Sequence, residues 1–182
     1  MTNRFRNACL IAVSIATFAA FAAAPKADES ASSEVKLVAL KYSAFQERLA
    51  QARKQNFKFT LVDAWASNCG PCKENFPHLI ELNKKYGTKG LQVVSLSLDD
   101  TSNAKDIQAA RDFLTKKNAT FLNVLLDEDF GVGYDKLNIS AIPAVFLFGP
   151  DGKEIKRFTM DDPNNQFTYE QVQKEIENRL GK

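Results

Sequence analysis

The stretch from Val62 to Lys73, VDAWASNCGPCK, decides the fold of this 182-residue chain. Its first half is an apolar, β-forming run, and its second half carries Cys69 and Cys72, separated by a glycine and a proline. A strand that leads through Cys-x-x-Cys into a helix places both sulfurs at a helix N-terminus, where partial positive charge and free N–H groups stabilise a thiolate. The pattern predicts reversible disulfide chemistry, with Cys69 as the exposed nucleophile and Cys72, one turn further in, as the resolving cysteine.

The two residues between the cysteines fit an accessible dithiol. Gly70 leaves the approach to Cys69 open, and Pro71 has no N–H to leave unpaired in a first helical turn. A zinc site is one alternative, but it requires further ligands at suitable spacing. The chain has one histidine, His78, six residues beyond Cys72 on the same predicted helix. A purely structural disulfide is the other alternative, and such a short loop would stabilise the fold little.

The segments on either side alternate between strand and helix patterns. Ser43 is the expected N-cap of the first helix, and Gln171 is the expected capping-box partner of Thr168 at the start of the last. Gly149 to Gly152 reads as the turn of a hairpin. The predicted strands are 57–66, 91–98, 121–126, 144–148 and 154–158, and the predicted helices are 44–56, 70–86, 103–117, 129–137 and the segment from residue 168. This order predicts an α/β fold with a central mixed β-sheet flanked by helices on both faces.

The composition excludes several classes of protein. With 45% hydrophobic and 25% charged residues, the chain has the profile of a folded domain rather than of a disordered one. Its net charge is +2, and without Arg4 and Arg6 near the N-terminus the 24 basic residues become 22, equal to the 22 acidic ones. A neutral domain has no basic footprint for nucleic acid. Of the three cysteines, Cys9 lies in the same N-terminal segment, and the two that remain without it cannot build the multi-bridge framework of a small secreted scaffold.

The N-terminal residues 1–22 are predicted to form a cleaved signal peptide. A basic start precedes an uncharged run from Ala8 to Ala24, within which Ala20 to Ala22 fits the small-x-small rule for cleavage. An uncleaved membrane anchor is the alternative, although the run is short and rich in alanine. Either way the body is expected to be exported, to the periplasm or to the outer face of the membrane. Residues 23–34 read as a flexible leader, and residues 35–182 as one domain.

Two motifs together resemble the thioredoxin superfamily. Residues 62–73 are similar to its active-site segment, and Ile139 to Phe146, ISAIPAVF, is similar to the loop whose cis-proline faces the dithiol. The sequence GPDGK at 149–153 is like the family's final hairpin. The export signal and a helix–strand unit inserted between Asp99 and Leu126 resemble the exported TlpA/ResA-like branch. The resemblance covers residues 35–181 and implies a thioredoxin-like fold with an inserted helix–strand unit.

The resemblance implies a role for the cysteines and the second loop. Cys69 matches the attacking cysteine and Cys72 the resolving one. Pro143 matches the cis-proline, a peptide geometry that X–Pro bonds adopt at modest cost. It would present the backbone of Ile142 to an extended substrate segment beside Cys69, a form of strand addition. An ordinary proline before a strand is the alternative for Pro143.

Asp63 and Trp65 precede the motif in the predicted strand. Asp63 matches the buried acid behind the family's dithiol, and desolvation should raise its pKa, so that it can exchange a proton with Cys72. A solvated edge position or a pairing with Lys58 are the alternatives for Asp63. Trp65 matches an aromatic residue near the family's site and is assigned to substrate binding, with plain core packing as the alternative.

Three positions near the motif depart from the family pattern. Asn68 stands where Trp is common, which removes an apolar lid and an indole N–H beside the first cysteine. Asn68 is nevertheless expected to line the substrate site together with Gly70 and Pro71. Ala144 follows the proline where thioredoxins often have threonine. The acidic residue that the TlpA/ResA branch often carries three positions after the second cysteine is Asn75 here.

Thiol–disulfide exchange is the expected activity, with reduction of protein disulfides as the expected direction. The Gly-Pro pair and Asp63 resemble reducing thioredoxins, and the resemblance implies a membrane electron donor and a role in cytochrome c maturation. No metal and no cofactor other than the Cys69–Cys72 disulfide is expected. A disulfide-forming oxidase, a thiol peroxidase and a non-catalytic module that binds metal or protein are the alternatives. We expect no nucleic-acid partner, and no lipid contact beyond that of an uncleaved anchor.

Overall fold

The computed structural model describes residues 34–181 of the chain. The predicted signal peptide, its alternative as a membrane anchor, and the predicted leader up to residue 33 lie outside the described residues. Among the helices of residues 34–181, none is long and apolar enough to cross a membrane.

Strands and helices alternate through the described part of the chain. They are β1 Leu37–Leu40, α1 Tyr42–Ala50, β2 Phe59–Trp65, α2 Gly70–Tyr86, β3 Leu91–Ser97, α3 Ala104–Lys116, β4 Leu122–Leu126, α4 Val132–Leu137, β5 Ala144–Phe148, β6 Glu154–Phe158 and α5 Tyr169–Leu180. Short 3-10 turns follow α1 at Ala52–Gln55 and α2 at Gly87–Lys89. The helix α3 and the strand β4 form the inserted unit.

The six strands form one mixed sheet in the order β1-β4-β3-β2-β5-β6. The pairs β1–β4, β4–β3 and β3–β2 are parallel, whereas β5 is antiparallel to both β2 and β6. β2 therefore lies inside the sheet, with β3 on one side and β5 on the other. The C-terminal end of β2, which leads to Cys69, therefore lies between neighbouring strands rather than at the side of the sheet. The predicted α/β fold with a mixed central sheet is confirmed.

Alternation along β2 divides the core between the two faces of the sheet. Leu61 and Trp65 belong to a cluster with buried residues of α2, α3 and α5, among them Cys72. Val62 and Ala64 belong to a second cluster with residues of α1 and α4. Because side chains in a strand alternate between faces, Asp63 shares the face of Leu61 and Trp65. This places the carboxyl group on the side of the sheet that carries the Cys-x-x-Cys helix.

The N-terminal part of the domain differs from the sequence prediction. The sequence predicts no strand at Leu37–Leu40, because four residues with one buried side chain are too few to show an alternation of apolar and polar residues. The strand β1 forms through its pairing with β4. The helix α1 has Lys41 rather than Ser43 as its N-cap and ends at Ala50. The backbone N–H of Tyr42 donates to Glu128 Oε1 at 2.8 Å, so a distant carboxylate satisfies one of the free donors of this helix.

The closing hairpin is held by a turn that needs glycine. Gly149 N–H donates to the carbonyl of Lys153 at 2.8 Å, and Gly152 has a φ of +78°. A Cβ at position 152 would lie 2.8 Å from the backbone of Ala50, so α1 also excludes a side chain there. The capping box predicted for α5 is present, with Thr168 N–H donating to Gln171 Oε1 at 3.0 Å.

Candidate active site

The two cysteines form a disulfide at the N-terminus of α2. Cys69 is the N-cap of this 17-residue helix, and its Sγ accepts a hydrogen bond from the backbone N–H of Cys72 at 3.2 Å. The sulfur thus takes the position that a Ser or Asp oxygen commonly fills at a helix start. In the reduced protein, the same N–H and the helix dipole favour the Cys69 thiolate.

Exposure distinguishes the two sulfurs. Cys69 is half-buried, whereas Cys72 is 2% exposed and packs in the core cluster behind the helix. Asn68, Gly70 and Pro71 are exposed around Cys69. A Cβ at Gly70 would meet no atom within 4 Å, so packing does not require glycine there. An incoming group can therefore reach Cys69 while Cys72 is shielded.

The loop before β5 lies against the dithiol. The Ile142–Pro143 peptide bond is cis, and the carbonyl oxygen of Ile142 lies 3.9 Å from Cys69 Sγ. Ile142 is half-buried and Pro143 is buried. The fold thus brings together the two predicted motifs, which are 73 residues apart in the chain. Of this pair, Ile142 has the surface that a partner segment can contact.

Asp63 is 2% exposed, and within residues 34–181 its side chain has one hydrogen-bond partner, which comes from α5. The hydroxyl of Tyr169 donates to Asp63 Oδ2 at 2.6 Å. The pKa of Asp63 is raised from 3.8 to about 7, because the effect of burial exceeds the opposing effect of the hydrogen bond from Tyr169. Neither alternative for Asp63 is seen, because the carboxyl group is not at a solvated edge and Lys58 is exposed and forms no ion pair with it. A carboxyl group with a pKa near 7 can both take up and release a proton at neutral pH.

Trp65 does not present a surface to substrate. Its side chain is fully buried, and its ring packs at 5.4 Å from Phe76 and at 5.1 Å from Phe113, measured between ring centroids. The assignment of Trp65 to substrate binding is therefore corrected to core packing behind the motif. Within residues 34–181 its Nε1 has no hydrogen-bond partner.

Two further residues that support the site are not identified by the sequence. The first is Tyr169, whose hydroxyl reaches Asp63 across 106 residues of chain. The second is Asp99, which follows β3 and accepts hydrogen bonds from the backbone N–H and the hydroxyl of Ser67 at 2.9 and 2.7 Å. The only sequence signal is a tyrosine at a helix start and an acidic residue after a strand, and neither pattern indicates a partner.

His78 lies on α2 away from the disulfide. Its ring stacks on that of Tyr169, with centroids 5.3 Å apart and planes 16° apart. Across residues 34–181, no three side chains of His, Cys, Asp or Glu converge in a way that could hold a metal ion. His78 is thus a neighbour of the buried Asp63–Tyr169 pair.

Comparisons with known proteins agree with this geometry. The Redoxin family model matches residues 30–175. ResA of Bacillus subtilis strain 168, a thiol-disulfide oxidoreductase, is 28% identical over 102 residues, which cover 56% of this chain and 53% of ResA. Thioredoxin of Buchnera aphidicola is 31% identical over 80 residues, 44% of this chain and 69% of that one. The matched part thus spans about half the length of the ResA relative.

A solved structure shows the same fold. A Chlorobium tepidum protein described as a thiol:disulfide interchange protein DsbE superposes with a TM-score of 0.55 and 26% identity, covering 70% of this chain and 84% of that one. The family match includes β2, α2 and the loop of Pro143. The chain therefore belongs to the Redoxin family, as a thioredoxin-superfamily protein of the TlpA/ResA-like type.

Proposed function

We propose that this protein is an exported thiol–disulfide oxidoreductase that reduces disulfides in other proteins. The observation that carries the proposal is the Cys69–Cys72 disulfide at the N-terminus of α2, with Cys69 Sγ accepting the N–H of Cys72 at 3.2 Å. A half-buried first sulfur and a shielded second sulfur suit a nucleophile and a resolving group. The relatives named as thiol-disulfide oxidoreductases support the same activity.

The reaction proceeds in two exchanges. The Cys69 thiolate attacks one sulfur of the substrate disulfide, a Cys69–substrate bond forms, and the other substrate sulfur leaves as a thiolate that takes up a proton. Cys72 then loses its proton and attacks the sulfur of Cys69, the Cys69–Cys72 bond forms, and the second substrate sulfur leaves. Two electrons have passed from the dithiol to the substrate, which ends as two thiols.

Asp63 is the proton acceptor in the second exchange. It lies on the same sheet face as Leu61 and Trp65, whose core cluster contains Cys72, and its pKa of about 7 lets it take the thiol proton at neutral pH. When the dithiol is regenerated, the proton can return by the same route. The role is that of a general base for resolution, not for the first attack.

The substrate-binding region is formed by residues around Cys69. The exposed Asn68, Gly70 and Pro71 lie on one side, and the loop with Ile142 lies on the other. The carbonyl of Ile142, 3.9 Å from Cys69 Sγ, is placed to accept a backbone hydrogen bond from an extended segment. Because these contacts use backbone and small uncharged groups, many protein segments can satisfy them.

The proposal includes a compartment and an electron donor, which the N-terminal sequence and the family resemblance support. An export signal at residues 1–22 and a domain from residue 35 would place the dithiol where disulfides form and persist. Continued reduction there requires a membrane protein that delivers electrons through its own dithiol. Cytochrome c maturation is a process that needs such reduction. Separation of cell fractions and N-terminal sequencing of the mature protein test the export step, with a mature start near residue 23 as the expected result.

The decisive experiment is covalent capture with Cys72→Ser, produced as the full chain. Without its resolving thiol this variant should hold its partner in a mixed disulfide, which dithiothreitol releases for identification. Cys69→Ser is the matched control and should capture nothing. Insulin reduction should be lost in both variants. If wild-type protein does not reduce insulin and Cys69→Ser still binds the same partner, the protein is a binding module rather than an oxidoreductase.

The direction of electron flow is measured separately. The reduction potential of the Cys69–Cys72 pair against a dithiothreitol or glutathione couple decides it, since about 30 mV shifts the balance tenfold. A potential near that of reducing thioredoxins, about −270 mV, is expected. A value near −120 mV would instead assign disulfide formation, and rapid peroxide consumption would assign a thiol peroxidase.

A further inference from the structure

The hydrogen bond between Tyr169 and Asp63 joins α5 to the centre of the sheet. Its O–O distance is 2.6 Å, and the two residues are 5% and 2% exposed. The tyrosine hydroxyl donates directly to Asp63 Oδ2, so this buried oxygen has a hydrogen-bond partner without any water molecule. A buried carboxylate with one strong donor depends on that donor for much of its stability as an anion.

Several contacts fix the ring that carries this hydroxyl. Tyr169 is the first residue of α5, directly after Thr168, whose capping box with Gln171 sets the start of the helix. One face of the ring stacks on His78, at 5.3 Å between centroids, and Phe167 packs at 5.6 Å. The hydroxyl is therefore held in place by helix geometry and by two aromatic neighbours.

We propose that Tyr169 is a positioning residue for the dithiol reaction, which holds the Asp63 side chain in place and stabilises its carboxylate for the step in which Cys72 displaces the substrate. This inference rests on the proposed function. It adds a residue to that function, because neither the motif nor the second loop contains Tyr169. The same hydroxyl would act again, in reverse, when the dithiol is regenerated.

The groups around Asp63 leave Tyr169 as its specific hydrogen-bond donor. From α2, the titratable residues Cys72 and Tyr86 belong to the core cluster on this face, and the ring of His78 stacks on that of Tyr169. The neighbouring strands place Ser95 of β3 and Val145 of β5 in register with Asp63, and neither carries a charge. From α5, Glu170 is exposed and follows Tyr169. The other core residues on this face, from α3 and the segment 158–167, are not titratable.

Burial raises the pKa of both residues, but only one of them titrates near neutral pH. Burial raises the pKa of Asp63 to about 7, and the Tyr169 hydroxyl lowers it from what burial alone would give. Burial and the nearby Asp63 charge raise the pKa of Tyr169 far above its usual value, so the hydroxyl keeps its proton at every working pH. Tyr169 is therefore a permanent donor, while Asp63 is the group that changes its charge.

The test compares Tyr169→Phe with a matched control, Tyr86→Phe. Tyr86 also donates its hydroxyl to a carboxylate of α5, that of Glu177, but it lies at the opposite end of α2 from the dithiol. The Asp63 carboxyl group is titrated by NMR in each variant. Loss of one hydrogen bond to a charged group should raise the pKa of Asp63 by about one unit or more in Tyr169→Phe. Tyr86→Phe should leave it unchanged.

The kinetic measurement separates the two exchanges. Reduced protein is mixed with 5,5′-dithiobis(2-nitrobenzoate) from pH 5 to pH 9, and release of thionitrobenzoate is followed by stopped flow. The first release reports attack by Cys69 and depends on reagent concentration, whereas the second reports resolution by Cys72 and does not. In Tyr169→Phe the pH profile of the second-phase rate constant should shift to higher pH by about one unit. This rate constant should fall about fivefold at pH 7, and that of the first phase should be unchanged.

Two results would overturn the proposal: an unchanged Asp63 titration in Tyr169→Phe, or an unchanged pH profile of the second phase. If Tyr169→Phe does not fold, 3-fluorotyrosine at position 169 is the substitute, since its more acidic hydroxyl is a stronger donor and should move both profiles to lower pH. Failure of the proposed function is a separate result. It would appear as wild-type protein that does not reduce insulin, whereas the Asp63 titration would still test Tyr169.

Discussion

Asp99 holds the segment that leads into Cys69 through Ser67. Its carboxylate accepts the Ser67 backbone N–H at 2.9 Å and the Ser67 hydroxyl at 2.7 Å, and the Ser97 hydroxyl donates to its other oxygen at 2.6 Å. Asp99 is 6% exposed, so these donors satisfy a charge that has almost no water around it. The end of β3 thereby fixes the turn between β2 and the Cys-x-x-Cys helix.

The first prediction concerns this buried carboxylate. Asp99→Asn replaces one acceptor oxygen with an NH2 group, which faces the donors of Ser67 or Ser97 and leaves buried donors unpaired. This should lower the free energy of unfolding by about 2–3 kcal/mol. Asp100→Asn is the matched control, because Asp100 is more exposed and its side chain bonds locally to Ser102. Urea unfolding of both oxidised variants measures the difference. Equal stability of the two variants would contradict the role of Asp99.

The second prediction is a pH dependence of stability that comes from Asp63. Its folded pKa of about 7 lies above the unfolded value of 3.8, so the native state binds the proton more tightly. The stability contributed by this group is fully present below about pH 4 and is lost as the pH rises to about 7. The loss is on the order of 4 kcal/mol, from about three pKa units at 1.36 kcal/mol each.

Asp63→Asn isolates that effect, because asparagine does not titrate. The stability of this variant relative to wild type should rise by a similar amount between pH 4 and pH 8, measured by urea unfolding of the oxidised proteins. Asp106→Asn, the same substitution in the first turn of α3, serves as a control for the loss of a carboxyl group elsewhere in the protein. A difference between Asp63→Asn and wild type that stays constant with pH would show that Asp63 is not the titrating group.

The third prediction concerns the reactivity of the reduced cysteines. Cys69 is half-buried and accepts an N–H at the start of α2, whereas Cys72 is 2% exposed. Iodoacetamide should therefore modify Cys69 first, with an apparent pKa below the value of about 8.5 for a free cysteine. Mass spectrometry of peptides after brief labelling across a pH series gives both quantities. Earlier labelling of Cys72 would reverse the assignment of nucleophile and resolving group.

The fourth prediction compares two glycines. Gly152→Ala forces an alanine to a φ of +78° with its Cβ 2.8 Å from the backbone of Ala50, and should destabilise the protein by about 1–3 kcal/mol. Gly70→Ala places its Cβ in open space and should leave the free energy of unfolding within about 0.5 kcal/mol of wild type. Thermal unfolding of the two variants checks the contrast. A larger loss for Gly70→Ala than for Gly152→Ala would contradict it.

Much of the fold could be predicted because its signals are local. The helix over Gly70–Tyr86 and the strands Ala144–Phe148 and Glu154–Phe158 have the predicted bounds, since their periodicity and caps lie within a few residues. The strand β1 could not be predicted because β4 creates it by pairing. The start of α1 was misplaced because Glu128, and not Ser43, meets the N–H of Tyr42.

For the site, the sequence by itself determined the dithiol, its place between a strand and a helix, and a second loop with a proline. These features are encoded by residue type and short spacing. Only the tertiary structure decided that Ile142 lies beside Cys69, that Trp65 is fully buried, and that Asp63 and Ser67 receive Tyr169 and Asp99 as partners. The physical reason is that a buried polar group must find its hydrogen-bond partner wherever the fold brings one, and that partner can be 106 residues away.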